Sequence, residues 1–134
     1  MTESVARTRA EAVITVLTYQ PSVYDEPVEG PVLSRVHFEE NFSGDITAAG
    51  VAEVIQAARA DGFASFAGIE RVTGEIGGQQ GTFLFQVAGT VQDNRVDGEL
   101  SVIAGSGTGE LAGFRGQGGF RATLGQVARM HLDY

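Results

Sequence analysis

The chain has no cysteine and no lysine, and only three prolines, in 134 residues. Without cysteine there is no disulfide framework and no thiol chemistry. Without lysine there is no Schiff-base catalysis and no phosphate loop of the kind whose lysine reaches the phosphates. Two histidines and no cysteine leave few strong ligands for zinc, so no metal and no cofactor are expected. No apolar run approaches the roughly 18 residues of a membrane span. The first residues, MTESVARTRAEA, mix acids and arginines instead of placing a basic segment before an apolar one. They read as a flexible tail over residues 1–9 on a cytoplasmic protein, followed by a single domain over 10–134.

Charge excludes a further class. Nine arginines are scattered from Arg7 to Arg129 against seventeen acids, for a net charge of −8. Nucleic acid needs a cationic track, and an anionic membrane surface would repel this chain. Neither is expected as a partner.

What the chain does have is glycine, and it is unevenly placed. All three prolines fall between Pro21 and Pro31, whereas sixteen of nineteen glycines lie from Gly62 to Gly125. The densest stretch, GELSVIAGSGTGELAGFRGQGG from Gly98 to Gly119, carries alternating apolar residues through it. That pattern favours strands joined by tight turns. The run GSGTGE is followed by no GK[ST] and no helix signal, so it is not a phosphate cradle. Ser106 lacks the first glycine of a nucleophile elbow.

Period-two alternation recurs along the chain. Ala12 to Tyr19 is rich in β-branched residues and reads as a first strand, and QPSVYDEPVEGP as a long loop after it. Val36, Phe38, Glu40 and Phe42 then share one face. Phe66, Gly68, Glu70, Val72, Gly74 and Ile76 share another, as do Phe83, Phe85 and Val87, and then Leu100, Val102 and Ala104. A turn at Gly105–Gly109 leads into a glycine-broken strand over Leu111–Phe120, and RMHLDY closes the chain. One segment is ambiguous. Val51, Val54, Ile55 and Ala58 fall at i, i+3, i+4 and i+7, which alone reads as a short amphipathic helix. Short, evenly spaced strands with internal glycines point to a sandwich or a small, strongly bent barrel.

Several stretches together resemble a family of short bacterial proteins of unknown function with an allene oxide cyclase-like β-barrel. They are FSGDI (Phe42 to Ile46), DGFASFAGIERVTGEIGG (Asp61 to Gly78), GTFLFQVAG (Gly81 to Gly89), GSGTGELAGFRG (Gly105 to Gly116), and FRATLG with HLDY near the end. The order and spacing hold from about Val36 onward. The resemblance implies an all-β fold: a small closed antiparallel barrel of about eight strands with little helix. It also implies a strand, not a helix, over Val51–Ala58. The chain departs from the family pattern in having Gln86-Val87 where relatives tend to carry a Gln-His pair. It has Tyr19 and Tyr24 near a position where they often have tryptophan. No role of that histidine transfers. Distant barrel relatives include plant allene oxide cyclases, dirigent proteins and bacterial polyketide cyclases, an analogy of fold.

The alternation selects two carboxylates, Glu40 and Glu70, as catalytic candidates. Each lies on an apolar face, and burial of a carboxyl raises its pKa toward the range useful for general acid or base work. Each is otherwise a structural hydrogen-bonding group. Tyr19, Phe38, Phe66, Phe83, Phe85, Phe114 and Tyr134 are candidate pocket residues. Arg115 is a candidate carboxylate clamp or a surface ion pair. His37 and His131 lie on polar faces, and Gln86 on an outer face suited to a subunit contact. The resulting expectation is a cofactor-independent barrel acting as a cyclase or isomerase on an apolar, polyketide- or lipid-like molecule. The alternatives are a non-catalytic carrier or sensor for such a ligand and a filled structural barrel. A homodimer or other homo-oligomer is compatible with all three.

Overall fold

A computed structural model describes residues 7–134 of the chain. Eight strands run β1 (Arg9–Asp25), β2 (Val32–Gly44), β3 (Ile46–Ala58), β4 (Ala64–Ile76), β5 (Gln79–Gln92), β6 (Arg95–Val102), β7 (Gln117–Thr123) and β8 (Ala128–Asp133). They are antiparallel neighbours in chain order and close into one barrel, β8 pairing back onto β1. The only helical element among the described residues is a single 3-10 turn at Gly109–Leu111. Most of the segment expected as a tail lies outside the described residues, but Thr8 pairs with Tyr134 and Arg9 with Asp133. The Arg9 guanidinium holds the Asp133 carboxylate with two contacts, of 2.8 and 2.9 Å, across the closing seam.

The register gives the barrel its shear. From Ile14 through Phe42, Ala48 and Gly74 the ladder reaches Gly81 on β5. From the preceding residue, Val13, the other way round through Arg129, Arg121 and Asp97, it reaches Thr90. The same start, Ile14, would therefore meet Val91, ten residues beyond Gly81. Such a stagger requires strongly tilted strands, and eight of them enclose just enough space for side chains or one small ligand.

One end of the barrel is solid. Phe83, Phe85, Ile46, Ile76, Leu111 and Leu132 are almost completely buried there. Phe83 contacts Phe85 edge-on and Phe114 at a tilt, each with ring centroids 5.0 Å apart, and Phe114 meets Tyr134 at 5.5 Å. The link between β6 and β7 supplies the plug. Thr108 N–H donates to the Thr82 carbonyl, Ser106 Oγ accepts from Leu84 N–H, and the 3-10 turn drives Leu111 inward. The expected strand over Leu111–Phe120 is thus replaced by a plug and a shorter β7. The loop takes the hydrogen-bonding edge of β5 that β6, paired only with Phe85–Gln92, does not reach.

The helical pattern read from Val51–Ala58 alone gives way to the strand that the resemblance implies, and one further expectation is corrected. Val51–Ala58 lies inside β3, paired on both sides to β2 and β4. Its apolar residues mimicked a helix because Val51 and Ile55 are outward and partly exposed while Ala52 and Val54 are inward. The proline-rich segment is not a long loop either. β1 continues through Pro21 to Asp25, and only residues 26–31 connect it to β2. Proline is tolerated in a strand where no neighbour needs its amide, and β1 has such an edge beyond Ile14.

Candidate functional site

Side chains alternate across a strand, and directly paired residues share a face. The buried residues Val36, Glu40 and Phe42 on β2, and Val72 and Ile76 flanking Glu70 on β4, therefore fix both glutamates inside the barrel. Glu70 is 2% exposed and Glu40 is 6% exposed. The register places them in adjacent rows. One row is Tyr19, Phe38, Ala52, Glu70, Phe85 and Val102. The next is Val16, Glu40, Gly50, Val72 and Phe83.

Gly50 makes the pairing possible. It stands beside Glu40 in the ladder, and the Glu70 carboxyl leans diagonally across it. A Cβ built on Gly50 would overlap Glu70 Oε2 and lie 3.1 Å from Phe42 Cε1. With no side chain at position 50, the Glu70 carboxyl occupies that space beside Glu40 of the next row, and each carboxyl shifts the other's pKa.

Burial is the main cause of the electrostatics. It pushes the Glu40 carboxyl up, opposed by the hydrogen bond to Glu70. It pushes Glu70 well above the ordinary glutamate range, and both the hydrogen bond to Glu40 and the repulsion of its charge add to the rise. Among the described residues no arginine or histidine forms an ion pair with either acid. Like charges this close, without a cation, do not both ionise, and the arrangement is that of a pair sharing one proton. Of the two, Glu70 is pushed up further. Glu70 Oε2 has no hydrogen-bond partner, an uncommon state for a buried oxygen. Among the described residues no group of three or more acids and histidines could hold a metal ion.

Above the pair the barrel wall is less tightly filled. Phe38 and Phe66 are half-buried, and Tyr19 is more than half exposed. Tyr19 lies on the concave face, as its hydroxyl shows by reaching over β2 to Gln56 Oε1 on β3, at 3.4 Å. Its partial burial pushes the phenol pKa up. Phe66 faces Phe120 with centroids 6.4 Å apart.

The candidates therefore divide. Tyr19, Phe38, Glu40, Glu70 and Phe85 are brought together, Phe83 lies in the row beneath, and Phe66 sits on the same face toward the open end. Phe114 and Tyr134 belong to the opposite, plugged end. Arg115 is exposed, makes no ion pair among the described residues and does not clamp either glutamate. His37 lies outside, between Glu53 at 2.7 Å and Glu39 at 3.5 Å, and these carboxylates raise its pKa. Gly50 escaped sequence reading, since its role depends on a side chain twenty positions away. Gln56, on the inner face of β3, was not singled out, since its contact is with a tyrosine thirty-seven positions away.

Two grooves lie elsewhere. One, of about 1010 Å³, crosses β5 to β8 over Gly89, Gly98, Gly118 and Gly119, with Asp97, Glu99, Arg121, Arg129 and His131 along it. The other, about 420 Å³, lies at the closing seam beside Arg9, Asp45 and Tyr134. Neither is lined by Glu40 or Glu70.

Comparison with known proteins agrees with this geometry. The family model described as "Protein of unknown function (DUF3224)" matches residues 10–134. No curated protein matches the sequence significantly. A crystal structure of a protein of unknown function from the DUF3224 family of Shewanella oneidensis MR-1 is similar to the chain. It superposes with a TM-score of 0.81 at 28% identity, over 96% of each chain. With its eight strands closed into a barrel resembling that of allene oxide cyclase, the chain belongs to the DUF3224 family.

Proposed function

We propose that the protein is a cofactor-independent barrel that takes up an apolar, polyketide- or lipid-like molecule over the Glu40–Glu70 pair and isomerises or cyclises it by proton transfer. The observation that carries this reading is the pair itself: two buried carboxyls in adjacent rows of an apolar barrel, with no arginine or histidine paired to either among the described residues. Such a pair offers a neutral carboxyl and an ionised one at adjacent positions. The neutral Glu70 donates toward a ligand oxygen while Glu40 accepts a proton from an adjacent carbon. The proton is then returned at a different carbon, so the net change is isomerisation and no redox partner is needed. Tyr19, Phe38 and Phe66 supply the apolar contacts that hold one productive conformer.

A second reading is a non-catalytic carrier with the same ligand class. It is favoured by the near-complete burial of both glutamates and by the Tyr19–Gln56 contact above them, which let a ligand rest over the pair without engaging it. The two readings part in one experiment. Binding is followed with the neutral apolar fluorophore N-phenyl-1-naphthylamine. Proton transfer is followed by NMR as α-proton exchange of an apolar β,γ-unsaturated ketone in D₂O. Catalysis predicts binding together with exchange, and Glu40→Gln or Glu70→Gln should lower exchange by about 10²-fold or more while probe binding persists. Binding without exchange selects the carrier. Absence of both overturns the two readings together.

A further inference from the structure

Closure of a barrel normally leaves no strand edge open, but β1 is an exception. It has seventeen residues, and only Arg9–Ile14 pair with β8. From Thr15 to Asp25 its inner neighbour is β2, and on the other side no strand or loop among the described residues hydrogen-bonds to it. The fold treats the corresponding gap on β5 differently, covering it with the loop that carries Ser106 and Thr108. On β1 the row of backbone donors and acceptors is left open.

The open segment also lacks the charges that usually protect an edge. No charged residue occurs from Ala12 to Tyr24, in a chain of net charge −8. Val16, Leu17, Tyr19, Val23 and Tyr24 are each 52–58% exposed. Leu124 and Val127, both 52% exposed, adjoin the segment in the turn before β8. Val16 and Tyr19 share the inner face with Glu40 and Phe38, so the apolar strip open to a partner centres on Leu17, which the bulge leaves unpaired with β2.

We propose that the edge of β1 over Thr15–Gln20 pairs antiparallel with the same edge of a second copy about a two-fold axis. A second copy fits for two reasons. An antiparallel edge is complementary to itself, so one strand satisfies the other's open donors and acceptors. Two chains of net charge −8 also approach at least cost through their uncharged strip. Pro21, which has no amide to donate, limits the ladder at its far end. The bulge between Val16 and Thr18 leaves Leu17 without a partner on β2, and its side chain is 58% exposed.

The test is sedimentation equilibrium of the full chain, with amide hydrogen exchange at high and low protein concentration. A dimer is expected, with outward amides of Thr15–Gln20 protected at high concentration and exchanging on dilution. Leu17→Lys should raise the dimer dissociation constant at least tenfold. Since lysine lowers the net negative charge, a loss of affinity reports the local contact and not long-range repulsion. Ile69→Lys, on the outer face of β4, should leave the dimer intact. A monomeric wild type, concentration-independent exchange of these amides, or a dimer broken by Ile69→Lys and not by Leu17→Lys overturns the proposal. If Leu17→Lys does not fold, the exchange measurement on the wild type decides alone.

Discussion

Placing a methyl group at position 50 tests whether Glu70 lies where the geometry places it. The Cβ of Gly50→Ala would overlap Glu70 Oε2 and press on Phe42 Cε1 at 3.1 Å. An exposed carboxyl would swing away at little cost. Glu70 is 2% exposed, and the Phe42 ring beside it is 3% exposed, so neither can swing out into solvent. Overpacking of this kind costs about 1–3 kcal/mol. The lost freedom of glycine in the unfolded chain offsets about 0.4–1 kcal/mol of it. A net loss of about 1–2 kcal/mol remains, which for a domain of this size lowers the melting temperature by roughly 3–10 °C. The informative comparison is the double-mutant cycle with Glu70→Ala, followed by urea denaturation. Once the carboxyl is gone, Gly50→Ala should be neutral or stabilising, giving a coupling of about 1.5 kcal/mol or more. In Glu70→Gln, which keeps the shape, the cost of Gly50→Ala should persist. An equal cost in all three backgrounds, with coupling below about 0.5 kcal/mol, would refute the placement of Glu70 over Gly50.

Other predictions follow from the same interior. Folded-state pKa values of Glu40 and Glu70 are raised. The folded protein therefore holds protons that the unfolded chain releases, and this contribution is fully present below the ordinary glutamate pKa. It is lost as pH rises through the folded-state values. Urea midpoints should thus fall from about pH 5 toward neutrality, and Glu70→Gln should flatten that decline; a wild-type midpoint rising over the same interval would contradict it. Leu111→Ala removes the plug beneath Phe83 and should cost about 2–5 kcal/mol; a loss under 1 kcal/mol in urea denaturation would show that the loop does not carry the core.

The barrel was legible in the sequence because its inner face is written with period two. Glu40 and Glu70 stood out as acids among Phe38, Phe42, Phe66 and Val72, and their burial follows directly from that alternation. What alternation cannot supply is the pairing between strands. It gives each acid an inner face, but only the register brings Glu70 diagonally over Gly50 to Glu40. The same register sends Phe114 and Tyr134 to the plugged end and leaves Arg115 outside, although all three looked equivalent to Tyr19 along the chain. Val51–Ala58 was ambiguous read alone because the outer face of β3 is partly apolar, so that two strand faces together imitated one helical stripe, and the family resemblance was needed to read it as strand. Pro21 misled because its exclusion from strands applies where a neighbour needs its amide, and β1 has none there.

The account rests on one proton held between Glu40 and Glu70, and the most direct measurement is a ¹³C NMR titration of their side-chain carboxyls, assigned through Glu40→Gln and Glu70→Gln. The pair should titrate in two separated steps, the later one well above the ordinary glutamate range. Titration of both carboxyls within the ordinary glutamate range would contradict the shared proton, and with it the acid–base function proposed for the barrel.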